Sequence, residues 1–155
     1  MNDKKSLQDI YAPKSICFGC GPSNENGLKI KSYKYKNGLK MSFHPKKSHQ
    51  AFPGVLNGGI IGTLFDCHGN WTAAMSIFES NNEKKFPSTV TAFFEVQLLK
   101  PTPIDTKVEI FSQIVFSTKN KAKVQLELFS ENAICAKSIG MFISVKEGHP
   151  AFYRW

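Results

Sequence analysis

A single carboxylate inside an apolar run is the first residue that needs an account. In FPGVLNGGIIGTLFDCHGNWTAAM, residues 52–75, Asp66 stands between Phe65 and Cys67, and nine positions before it Asn57 is followed by Gly58 and Gly59. A carboxylate among apolar neighbours is paired, neutral or turned toward a cavity. Turned toward a cavity, it can activate water as a base or attack an electrophilic carbon itself, and the residue types leave both open. The glycines point to related chemistry. Two of them in succession at a helix start cost backbone entropy. What they present is bare N–H groups at the positive end of a helix dipole, where a ligand oxygen can approach closely. A carbonyl becoming an oxyanion is the kind of charge such donors stabilise. Asn57 is a preferred N-cap residue, its side chain suited to accept from the N–H of Gly59 or Ile60.

These groups need a frame. From Asn57 onward, Ile60, Ile61, Leu64, Phe65, Trp71, Ala74, Met75 and Phe78 recur at three- and four-residue steps, which predicts a helix over 57–79. It is apolar over most of its circumference, so other structure must wrap it. Nine residues at about 100° and about 1.5 Å each place Asn57 and Asp66 on opposite sides of that helix, about 13.5 Å apart along it. If both act on one substrate, donor and carboxylate come from different subunits of a two-fold dimer with two interfacial sites. Ahead of the helix, Asn37-Gly38 lies between two alternating segments and predicts a hairpin with strands over 27–35 and 39–45. After it come TVTAFFEVQLLKP, TKVEIFSQIVFSTKN and KAKVQLELFSENAICAKSIGMFISVKEG, the last folding back at Glu131-Asn132. Short turns make neighbouring strands antiparallel. The order of two strands, one long buried helix and four strands predicts an α+β fold, a curved antiparallel sheet wrapped around a central helix. Residues 1–16 read as a polar N-terminal arm and 17–155 as a single domain that begins with the irregular loop CFGCGPSNENG.

With 155 residues, 41% of them hydrophobic, the chain can bury a sizeable core without metals or disulfides to staple it. Twenty Lys+Arg against 12 Asp+Glu give a net charge of +8, which favours polyanions or phosphate-bearing small molecules as partners. The lysines are scattered and alternate along the expected strands. That pattern marks the wet face of a sheet, and neither nucleic acid nor a membrane is an expected partner. No run reaches the ~18 to 20 apolar residues of a membrane span, and the N-terminus lacks the apolar core of a leader, so a cytoplasmic location is expected. Cys17, Cys20, Cys67 and Cys135 are too few and too spread for a disulfide framework. Cys17-x-x-Cys20 with Cys67-His68 offers four ligands of zinc type, but a second CxxC is missing, and no metal or other cofactor is expected. His44, His49, His68 and His149 are dispersed and read as structural. The closing EGHPAFYRW either packs onto the sheet or covers a ligand tunnel.

From Cys17 to the C-terminus the sequence resembles the PaaI-like hotdog thioesterases. In that family HGG opens the central helix and an acidic residue follows nine positions after the His; here NGGIIGTLFD carries Asn57 in place of that His and Asp66 at the acidic position. The resemblance implies the hotdog fold and hydrolysis of an acyl-CoA to free acid and coenzyme A. It assigns the oxyanion contact to Gly58, the base or nucleophile to Asp66 of the facing subunit, and water positioning to Thr91, ten residues before Pro101. HQAFPG resembles a segment whose polar side chain helps hold the thioester, which makes Gln50 a substrate-binding candidate beside Gly59. CFGCGP, followed by Asn and Gly-Leu, resembles an N-terminal segment of some members that caps the substrate entrance. Homodimers, often paired into tetramers, are implied as well, with scattered lysines as counter-charge for the coenzyme's phosphates. Two rival functions fit the same fold. One is acyl-thioester binding without hydrolysis, which the departure at Asn57 keeps open. The other is a hydratase or dehydratase, whose acidic residue and following His are not matched in spacing by Asp66-Cys67-His68.

Overall fold

Residues 5–155 are described in the computed structural model; the first four residues of the expected arm lie outside the described residues. The elements, in chain order, are α1 (Leu7–Tyr11), β1 (Tyr33–Tyr35), β2 (Gly38–Phe43), β3 (Gln50–Phe52), β4 (Val55–Leu56), α2 (Gly58–Asn81), β5 (Thr89–Leu98), β6 (Val108–Ser117), β7 (Lys121–Ser130) and β8 (Ala133–Ser144), with one 3-10 turn at Lys47–His49. Six strands form one antiparallel sheet in the order β1-β2-β6-β7-β8-β5. The remaining two, β3 and β4, make a separate small hairpin.

The expected arrangement is present: one antiparallel sheet packed around one long helix. Ala122, Val124, Leu126 and Leu128 of β7 are buried at alternate positions, as a strand with one covered face requires. Against them α2 buries Leu64, Phe65, Trp71 and Ile77. The helix seats closely because it carries Gly69, where a Cβ would lie 2.6 Å from Phe142 Cζ of β8. It ends at Asn82, which takes the left-handed conformation (φ 50°) that stops a helix without a glycine.

Differences from the sequence expectation lie in the first third. The strand expected over 27–35 pairs with β2 only at Tyr33–Tyr35. Leu28 and Ile30 instead donate to Phe18 and Gly19 carbonyls, and the Ser32 N–H donates to Gln8 Oε1. The segment is thus tied to the cysteine loop and to α1 rather than to the hairpin. Tyr35 pairs with Gly38, so the turn is Lys36-Asn37, with Lys36 in the left-handed region (φ 50°). Gly38 serves a different need, since a Cβ there would lie 1.9 Å from the Ser112 carbonyl oxygen of β6. Within the expected arm, Ser6 caps α1 by accepting from the Asp9 N–H, and Leu7 and Gln8 are buried. At the other end the EGHPAFYRW segment packs on α2: Trp155 lies 4.5 Å from Trp71, ring to ring, and its Nε1 donates to the Pro87 carbonyl. Among the described residues no helix is long and apolar enough to cross a membrane.

Candidate functional site

Asp66 lies partway along α2, half-buried, and β5 runs beside it. Thr91 Oγ1 of β5 donates to Asp66 Oδ1 at 2.5 Å. Asn70 follows Asp66 by one helical turn on the same face, and its Nδ2 makes a long contact of 3.5 Å to Thr91 Oγ1. The Thr89 hydroxyl donates to Asn70 Oδ1, which fixes the amide with its NH2 turned toward Thr91. The chain of donors runs in one direction and ends on the carboxylate. An Asp held through Oδ1 keeps Oδ2 for water or substrate. Asn70 is absent from the sequence expectations. Its signal was available, four residues after Asp66 and polar in an apolar helix.

A backbone irregularity aims Thr91. The β5–β8 register shifts between Thr91 and Phe93, leaving Ala92 as an extra residue. Thr89 and Thr91 face the helix before the bulge; after it Phe94 lies over Gly62 and Leu98 over Gly58. One inserted residue therefore reverses which parity of the strand meets α2.

At the start of the helix, Asn57 caps α2 as expected, its Oδ1 accepting from Gly59 N at 2.7 Å and Ile60 N at 3.3 Å. The Ile61 N–H goes to the Asn57 carbonyl. Among the first-turn donors only the Gly58 N–H has no protein acceptor among the described residues. Gly59, expected beside it, spends its N–H on the cap. Gln50 is near the helix start, where the Asn57 N–H donates to the His49 carbonyl, but its side chain is occupied. Its Nε2 donates to the Lys47 carbonyl and its Oε1 accepts from the Gly54 N–H, which braces the β3–β4 hairpin. Gly58 and Asp66 are eight residues apart, about 12 Å along the axis. One thioester carbonyl cannot touch both from the same chain.

His68 turns away from Asp66, fully buried, with Nδ1 2.8 Å from Ser32 Oγ. Burial pushes its pKa down to about 3, so the ring is neutral at physiological pH. It offers no acid to the Asp66 face, which argues against the hydratase reading. Of the four zinc-type residues named from sequence, the fold gathers Cys17, Cys20 and Cys67 and leaves His68 out.

No family model matches the chain, and no curated protein matches it in sequence. Solved structures do match. A thioesterase superfamily protein from Shewanella loihica PV-4 is 29% identical, with a TM-score of 0.70 over 90% of this chain and 100% of that one. The PaaI protein of the Escherichia coli phenylacetic acid degradation operon is 12% identical, with a TM-score of 0.65 over 77% and 81% of the two chains. A hypothetical thioesterase from Streptococcus pneumoniae TIGR4, solved with coenzyme A, is 15% identical, with a TM-score of 0.63 over 75% and 85%. With its sheet layered around one long helix, the chain has the hotdog fold and is similar in structure to thioesterase superfamily proteins, PaaI among them.

Proposed function

We propose that the protein hydrolyses acyl-CoA thioesters at sites shared between two subunits. The observation that carries the reading is the half-buried Asp66 carboxylate held at 2.5 Å by Thr91, in a helix whose first N–H, on Gly58, is unspent. In this mechanism the thioester carbonyl accepts from the Gly58 N–H of one subunit at the positive end of α2. Asp66 of the facing subunit takes a proton from water as the water oxygen bonds to the acyl carbon. The resulting oxyanion collapses, the C–S bond breaks, and Asp66 returns the proton to the departing sulfur. Thr91 holds the carboxylate in line for both transfers. Coenzyme A is favoured as the carrier by the ligand of the S. pneumoniae neighbour and by the net charge of +8.

Two features support the dimer. The first is the ~12 Å between donor and carboxylate in one chain. The second is β5, which ends the sheet with Phe93 50% and Leu98 59% exposed. Such an edge invites a second strand. The test is free-thiol release from short, long and aromatic acyl-CoAs by wild type and Asp66→Asn. Release by the wild type that falls at least ~100-fold in the variant is the expected result. Near-normal turnover in the variant removes Asp66 from the mechanism. Acyl-CoA bound but never cleaved by the wild type assigns the fold to a binding protein.

A further inference from the structure

Three thiols meet where the N-terminal loop crosses α2. The sulfurs of Cys17, Cys20 and Cys67 all lie within 4.8 Å of one another, and all three cysteines are free. The backbone is shaped for this approach. A Cβ on Gly19 would lie 2.3 Å from Cys67 Sγ, so glycine lets the loop close over that sulfur. A donor is aimed into the cluster too: Trp71 Nε1 donates to Cys20 Sγ at 3.2 Å. Donors aimed at sulfur favour the thiolate, which is the form that binds metals.

Four ligands arranged tetrahedrally at a Zn–S distance of about 2.3 Å put sulfurs about 3.8 Å apart, and Cys17 Sγ and Cys67 Sγ are 3.8 Å apart. We propose that Cys17, Cys20 and Cys67 bind one zinc-class ion per chain, a soft divalent cation held by three thiolates. A disulfide would use two sulfurs and leave the third buried beside it, whereas an ion uses all three. The fourth position belongs to water. Cys17 is the least buried of the three and lines a cleft of about 560 Å³ together with Lys14 and Arg154. The missing second CxxC is supplied by the fold, because α2 brings Cys67 to the loop. Since Cys67 directly follows Asp66, the ion staples the loop to the helix that carries the carboxylate. This inference stands apart from the thioesterase reading.

The experiment is an anaerobic titration of the reduced protein with Co(II), followed by displacement with Zn(II) and native mass spectrometry. Wild type and Cys135→Ser are expected to bind one ion per chain, with thiolate-to-cobalt charge-transfer absorption and release of protons. Cys17→Ser, at the half-buried position, should stay folded by circular dichroism and bind at least ~10-fold more weakly, the loss that even an outer partner of a metal ligand causes. Equal affinity in Cys17→Ser, or no ion on the reduced wild type, overturns the site. Purification with Cys17 already joined to Cys20 or Cys67, resistant to alkylation, overturns it in favour of a redox pair.

Discussion

Gly58 and Asp66 differ in what their backbones and side chains contribute, and substitution can separate the two. Gly58 is the first residue of α2, a position where proline is tolerated because its missing N–H has no intrahelical partner. Asn57 already has the extended conformation (φ −62°, ψ 133°) that a following proline requires. A Cβ at Gly58 would meet only Leu98 Cδ1, at 3.2 Å, the movable end of a side chain. Gly58→Pro is therefore expected to melt within a few degrees of wild type yet lose ~100-fold in kcat, the scale of one oxyanion donor. Gly58→Ala keeps the N–H and should lose far less. Parallel losses of rate in the two variants would show that space at this position matters, not the donor. Asn57 was legible as a cap from its residue type alone. That its cap takes both the Gly59 and the Ile60 N–H, where one or the other was expected, required the folded helix start.

At the scale of elements, α2 carries a pH dependence of stability. His68 has a folded pKa of about 3 because the helix packs it fully inside, against about 6.5 when unfolded. Between these values the unfolded chain binds the extra proton, so stability rises with pH. The contribution is fully present above about pH 6.5 and is lost as the pH falls toward about 3, on the order of 5 kcal/mol in all. Urea midpoints at pH 7, 5 and 4 should fall more steeply for wild type than for His68→Gln. Identical slopes would place the acid sensitivity elsewhere. The period of α2 announced the helix from sequence, as alternation announced β6, β7 and β8. The bulge at Ala92 was invisible, because alternation fits either phase of TVTAFFEVQ, and only the β8 register decides that Phe94, not Phe93, faces α2.

For the whole molecule, the proposed shared site predicts complementation between inactive subunits. Mixed under conditions that exchange subunits, Asp66→Asn and Gly58→Pro chains form hybrids with one site built from two intact halves. Activity should return to about a quarter of wild type, since half the dimers are hybrids and each holds one good site of two. No recovery, with hybrids verified by native mass spectrometry, would mean that each chain uses its own groups.

The order of the six sheet strands about the central helix, that helix's Asn57 cap and the isolation of Asp66 were determined by the sequence, because each follows from local period, propensity or composition. So was the pairing of Asp66 with Thr91 as candidates, through resemblance. Tertiary structure alone decided which atoms meet. Asn70 became Thr91's partner because β5 lies along that helix face. Gln50 was spent on its own hairpin by a turn that sequence spacing does not reveal. Three cysteines 3 and 47 residues apart in the chain became one cluster because Gly19 admits the Cys67 sulfur. Contacts between residues distant in the chain depend on packing and register, and neither is encoded in any one stretch.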